Sequence, residues 1–187
     1  MAKVNVGPNA FGYPMPMSLV GTMVEGRPNF MAAAWVSRVN PSPPMMAVAI
    51  GKSHATNTGI KQQGSFSINF PGVDLIKATD YCGLVSGKKT DKSKVFEVYY
   101  GQLETAPLIA ACPFGLECRL IDTVELPIDD LFIGEIVAAY TEEKYMTEGS
   151  LDVRLMKPFL LTMPDNRYWA VGEVVGKAWQ DGRDLRG

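Results

Sequence analysis

Lys52-Ser53-His54-Ala55-Thr56-Asn57-Thr58 is the stretch whose residue types lie nearest to chemistry. It leads into Gly59-Ile60-Lys61-Gln62-Gln63, a short helical pattern that Gly64 can close. Free N–H groups in a helix's first turn carry partial positive charge, so such a junction suits a phosphate. Ser53, Thr56 and Thr58 would add hydroxyl donors and Lys52 a full charge. The plainer reading has Ser53 or Thr56 only capping the helix. A second candidate is Ser86-Gly87-Lys88-Lys89-Thr90-Asp91-Lys92, where four lysines, counting Lys94, can approach an anion and Gly87 admits close backbone. Its glycine spacing is not that of a Walker loop, and a solvated loop is the alternative. The third, Ala32-Ala33-Ala34-Trp35-Val36-Ser37, offers a shallow surface on which a flat ligand can lie with Trp35 at its border. Trp35 as ordinary core is the competing account.

Acid–base and nucleophilic constellations are missing. His54 is the only histidine, and a hydrolase or acyltransferase pairing it with adjacent Ser53 is disfavoured because neighbours rarely reach hydrogen-bond register. Asp129-Asp130 and Glu142-Glu143 would face opposite sides of a strand and read as solvated turns. Cys82, Cys112 and Cys118 cannot all pair within one chain and form no C-x-x-C, which fits reduced thiols in a cytoplasmic protein. With one histidine they are too few for a zinc or iron–sulfur site, so no metal is expected. If the protein is an enzyme, a bound cofactor carries the reaction.

The elements that must position these residues follow from punctuation. The chain has 187 residues, of which 47% are hydrophobic and 20% charged, which fits one globular domain over 1–187. A net charge of −2, with no basic run beyond two residues, argues against nucleic-acid binding. No run of eighteen apolar residues exists to span a membrane, and Pro8, Pro14 and Pro16 break any signal-peptide pattern. Thirteen prolines and eighteen glycines cut the chain into short apolar runs, a β-rich pattern. Strands are expected at 17–24, 30–39, 45–50, 65–70, 115–126 and 131–141, with a turn over Glu25-Gly26-Arg27-Pro28-Asn29 and no ladder through Pro41, Pro43 and Pro44. Residues 73–84 read as a helix with Val73, Ile76, Tyr81 and Leu84 as core contacts. Short elements are expected at 150–157 and 159–163. Residues 167–175 close the apolar pattern, and the tail from Gln180 reads as mobile. Five to seven strands with two or three inserted helices point to a small barrel.

The order of several short motifs resembles the flavoredoxin and flavin reductase-like family, the FMN-binding split barrels. The likeness runs through Pro14-Met15-Pro16, Leu19-Val20-Gly21-Thr22, Gly26-Arg27-Pro28-Asn29, Ala33-Ala34-Trp35-Val36-Ser37 and Pro43-Pro44. It continues through Lys52 to Ile60, Phe66-Ser67-Ile68-Asn69-Phe70, Asp80-Tyr81-Cys82-Gly83, Ser86-Gly87, Asp91-Lys92, Leu116-Glu117-Cys118 and Phe132-Ile133-Gly134-Glu135-Ile136. The resemblance implies a mainly β fold, a six-stranded Greek-key split barrel with a few short helices, binding FMN non-covalently. It implies a homodimer with the flavin near the interface, and Met15, Met17, Met45 and Met46, if exposed, would suit such a contact. Carried across, Asn29 and the backbone of Ala34, Trp35, Val36 and Ser37 would line the isoalloxazine. Ser53, Ala55, Thr56 and Thr58 would hold the phosphate with Lys52 nearby, and Ser86 and Lys92 would reach the cofactor from their loop. The expected activity is an oxidoreductase relaying electrons from NAD(P)H or a protein donor through FMN to flavin, ferric iron or a redox partner. A flavin carrier or sensor without turnover is the alternative. NADH or NADPH would be a transient substrate stacking on the flavin, since no dinucleotide fingerprint is present. His54 could contact a second substrate, although a cap or surface role is the plainer account.

Overall fold

The computed structural model describes residues 1–185. After β1 (Met15–Pro16), the chain enters β2 (Ser18–Val24), reverses, and leaves along β3 (Arg27–Ala33). The reversal needs only Glu25 and Gly26, whose φ values of 50° and 74° match the left-handed backbone of a two-residue hairpin turn. Arg27, Pro28 and Asn29 therefore belong to the strand, with Asn29 opposite Thr22, and not to the turn that their composition suggested.

The strand expected over 30–39 is broken at Ala34-Trp35. β3 pairs with β2, whereas β4 (Val36–Asn40) pairs with β5 (Met45–Gly51) across the proline-rich turn at 41–44. A two-residue period marks extended backbone but not which neighbour it joins, so the change of partner is invisible in the sequence. There follow α1 (Ala55–Gln63), closed by Gly64 at φ 65°, then β6 (Ser65–Phe70), and α2 (Ile76–Leu84) behind a 3₁₀ turn at Val73–Leu75. Next come β7 (Val98–Tyr99), β8 (Leu108–Ile109) and two long strands, β9 (Phe114–Glu125) and β10 (Asp129–Thr141). The chain finishes with β11 (Met146–Thr147), β12 (Ser150–Leu151), α3 (Val153–Met156), β13 (Phe159–Thr162) and β14 (Arg167–Ala170).

Seven strands form one antiparallel sheet in the order β3-β2-β6-β9-β10-β5-β4, and β1, β13 and β14 form a smaller one. The fold is the mainly β split barrel that the resemblance implied, with seven strands in the main sheet because the second ribbon divides. Register shifts between Ile133 and Gly134, and between Ile136 and Ala138, bend the long β9–β10 pair so that the sheet can curl. Val20, Val48, Ile60, Phe66, Ile68 and Phe132 fill its interior with no exposed surface. Ile60 is the contribution of α1, and it anchors the helix to the barrel. A second cluster, Leu19, Phe30, Cys82 and Ile109, packs α2 against the outer face of β2 and β3.

Four further expectations need correction. α2 buries Thr79 and Cys82, while Tyr81 and Leu84 are exposed and Val73 and Ile76 half-buried; on the outer face of β2 and β3, the face chosen by neighbours overrode the apolar pattern. Asp129-Asp130 is no solvated turn, for the turn occupies 126–128 and Asp130 lies fully buried in β10. Met15, Met17 and Met46 are core residues and Met45 is half-buried, so these four form no exposed methionine surface. The closing run at 167–175 is a strand only to Ala170. Of the tail expected to be mobile, residues up to 185 pass through turns into a 3₁₀ turn at Arg183–Leu185, and 186–187 lie outside the described residues.

Candidate functional site

β3 is an edge strand, and a chain of hollows runs along it. The first, about 250 Å³, lies between Arg27, Asn29 and the 87–92 loop. It meets a second of about 180 Å³ at Gly87 and Lys92, floored by Met31, Ala32, Ala55 and Thr56. Met31, Ala32 and His54 are shared with a third of about 320 Å³, beside Ala33, Ala34 and Trp35. Beyond Trp35 a wide hollow of about 550 Å³ opens over Tyr13, Val36, Ser37 and Val39. The row of alanines creates this shallow face, and the break after Ala33 turns Trp35 outward until it is 49% exposed. Trp35 is therefore a border and not core.

At the junction of the first two hollows stands a buried cation. Lys92 is only 4% exposed, and its Nζ donates to the carbonyls of Cys82 and Val85 at 3.2 Å each. Among the described residues no carboxylate lies in ion-pair range of it. Burial pulls this ammonium below the ordinary lysine range. Beside it, Asn29 Nδ2 donates to Thr56 Oγ1 at 2.9 Å, both residues being buried, so β3 and the first turn of α1 are tied together. Gly87 presses so closely on Asn29 that any side chain there would collide with the amide. A buried ammonium that lacks a counter-charge, beside a hydroxyl and an amide, is the chemistry of an anion cradle.

α1 is held from behind by Asp130. Asn57 Nδ2 donates to Asp130 Oδ2 at 2.9 Å and to the Ile50 carbonyl at 3.0 Å, and Lys61 Nζ donates to Asp130 Oδ2 at 2.8 Å. Lys52 Nζ stands 3.7 Å from Asp130 Oδ1. Lys61 first and Asn57 second hold the Asp130 carboxyl below its usual range. Neither Ser53 nor Thr56 caps the helix; His54 occupies that position, with no side-chain bond to the helix.

Of the residues singled out in the sequence, Asn29, Ala55, Thr56, Ser86 and Lys92 meet at the first two hollows. Ala34, Trp35, Val36 and Ser37 line the wider pair. Lys52, Ser53 and Thr58 are exposed and line none of the four. Sequence reasoning missed Arg27, which pairs with Asp91 at 3.1 Å across the first hollow, and Met31, Leu161 and Met163. The alternation of β3 could have found Met31, whereas Leu161 and Met163 are brought by a distant strand. The three thiols are buried, and burial raises each of them, Cys82 to about 11 and Cys118 to about 12. They are not poised nucleophiles.

Known proteins resemble this chain in sequence and in fold. A family model described as the flavin reductase like domain matches residues 10–161. The flavoredoxin of Methanosarcina acetivorans is 53% identical and superposes with a TM-score of 0.97, over 99% of this chain and 100% of that one. The flavoredoxin of Desulfovibrio vulgaris (Miyazaki F) is 33% identical with a TM-score of 0.91, over 97% and 100%. An FMN-binding protein of Thermus thermophilus, 24% identical with a TM-score of 0.80 over 95% and 97%, shares the fold. The family match runs from the segment before β1 into β13 and takes in every hollow-lining strand, and this chain belongs to the flavin reductase-like family.

Proposed function

We propose that this protein binds FMN non-covalently and works as an oxidoreductase, passing electrons from a reduced nicotinamide or a protein donor to an acceptor. The observation that carries the reading is the buried Lys92 ammonium with no carboxylate partner among the described residues, at the head of a groove whose other end is flat, apolar and bordered by an exposed indole. A molecule with an anionic tail and a planar head matches that polarity. Lys92, Asn29, Thr56 and Ser86 would hold the phosphate, and Ala32 to Trp35 would support the ring. The likeness to two flavoredoxins supports the same choice.

Bound FMN would supply two-electron and one-electron chemistry at its ring. The protein's own part is binding, orientation and the exclusion of water by the alanine floor, with Leu161 and Met163 opposite. No side chain is required to form a bond. Purified protein should show flavin absorbance or take up FMN in a fluorescence titration, and FMN at a hundredfold its Kd should add about 2.7 kcal/mol of stability. Protein that stays colourless and gains no thermal stability with FMN sinks the reading. Anaerobic addition of NADH and of NADPH, followed by the bleaching of the flavin band, then identifies the donor; bleaching by neither directs the search to a protein donor or to a carrier without turnover.

A further inference from the structure

The hollow of about 320 Å³ beside Ala32, Ala33 and Ala34 is apolar on most of its wall, and two polar side chains enter it from one end: His54 and Asp129. They come from different elements. His54 stands just before α1, Asp129 opens β10, and the ladder sets Asp129 opposite Gly51. A methyl group on Gly51 would lie 2.9 Å from His54 Cδ2, 3.3 Å from its Nε2 and 3.5 Å from Asp129 Oδ1. The absent side chain of Gly51 is thus the space on which imidazole and carboxylate converge. Among the described residues, neither side chain makes a hydrogen bond or an ion pair within the protein, so both face the hollow with their capacity unspent.

An imidazole N–H and a carboxylate set side by side at the end of a flat apolar slot suit one planar complement in particular. It is a carbonyl next to an N–H in one plane, the cis-amide edge, with the carbonyl accepting and the N–H donating. We propose that His54 and Asp129 recognise the C2 carbonyl and the N3–H of the flavin's pyrimidine ring, His54 donating to the carbonyl and Asp129 accepting from the N–H. This rests on the FMN reading above and goes beyond it by fixing which way the ring points. The direction follows from His54, which lines both this hollow and the adjoining one that leads to Lys92. It therefore stands at the ribityl side, and C2 is the pyrimidine carbonyl on the N1 edge of the ring, the side on which the ribityl chain leaves N10. A donor there meets the negative charge that the reduced ring gathers around N1 and C2, so His54 also favours reduction. A primary carboxamide, such as a nicotinamide carries, presents the same pair of groups, and the experiment separates the two sources.

The test is a fluorescence titration of the full chain with FMN and with N3-methyl FMN, which lacks the donor meant for Asp129. Wild type should bind FMN at least about tenfold tighter than the methylated probe. Asp129→Ala should weaken FMN and bind both probes alike. His54→Ala should weaken FMN, keep the discrimination, and shift the bound flavin's potential to more negative values. Both variants should melt with the wild type, because neither side chain is bonded within the fold. Wild type that binds FMN but does not discriminate, or Asp129→Ala that still does, overturns the assignment and leaves the FMN reading standing. FMN binding unchanged in both variants, with only the KM for NADH or NADPH raised, assigns the pair to a donor carboxamide and overturns the ring-edge proposal. Wild type that binds neither probe removes the FMN reading itself.

Discussion

Lys92 and Thr56 illustrate how single side chains divide the work in the groove. Replacing Lys92 with Met removes a buried charge but keeps most of the volume, so the flavin-free protein should melt no lower than wild type. FMN binding should weaken by about 1.5–3 kcal/mol, the worth of a hydrogen bond to a charged group, while riboflavin, which has no phosphate, should bind as before. Equal losses for FMN and riboflavin in paired titrations would show that Lys92 serves the packing and not the phosphate. Thr56 and Thr58 were equivalent in the sequence; the structure separates them. Thr56 is buried and bonded to Asn29, whereas Thr58 faces solvent. Thr56→Ala should weaken FMN binding by about 1 kcal/mol, while Thr58→Ala should fall within about 0.5 kcal/mol of wild type. The same titration decides between them. Hydroxyl enrichment at a helix start was legible; which hydroxyl points inward depends on helix rotation, which Ile60 sets by entering the core.

The pairing of α1 with β10 carries the next level of control. Asp130 was read as a solvated turn because consecutive acids beside a proline look that way, yet β10 begins earlier and draws the second acid beneath the helix. No local pattern announces that, since its partners Asn57 and Lys61 lie 73 and 69 residues away in sequence and on another element. Because the folded-state Asp130 carboxyl titrates lower than in the unfolded chain, its contribution is fully present above about pH 4. It fades as the pH falls through the folded value. Asp130→Asn should therefore lower Tm at neutral pH and flatten the acid limb of a Tm-against-pH curve. A variant whose acid limb runs parallel to wild type would show that other carboxylates govern it. The strands themselves were largely readable, because 18–24, 45–51 and 65–70 are bounded by glycine or proline and dense in β-formers. The division at Ala34-Trp35 was not, since only the curl of the whole sheet imposes it.

The complete molecule exposes its apolar side chains unevenly. Around the widest hollow, Tyr13 is 60% exposed, Trp35 49% and Val39 50%, a patch that fits a second copy of this chain. Homodimerisation is therefore proposed on these residues in place of the methionines. Light scattering should return twice the 20.4 kDa of one chain, and Trp35→Glu should reduce that to the single-chain mass. A wild-type mass near 20.4 kDa removes the proposal. At this scale the sequence announced the barrel through its punctuation and motif order. Which apolar side chains stay exposed was not legible there, because exposure is a property of the finished surface.

The sheet ends at β3 on one side and β4 on the other, and the two are joined by only two residues without pairing to each other. A sealed cylinder would have used up every main-chain donor and acceptor of β3, whereas this one leaves a row of them unclaimed along the groove. An unclaimed row of that kind templates unwanted self-association. A ligand seated there would act as a cover as well as a reagent, so flavin-stripped protein should precipitate at concentrations where the replenished form stays clear.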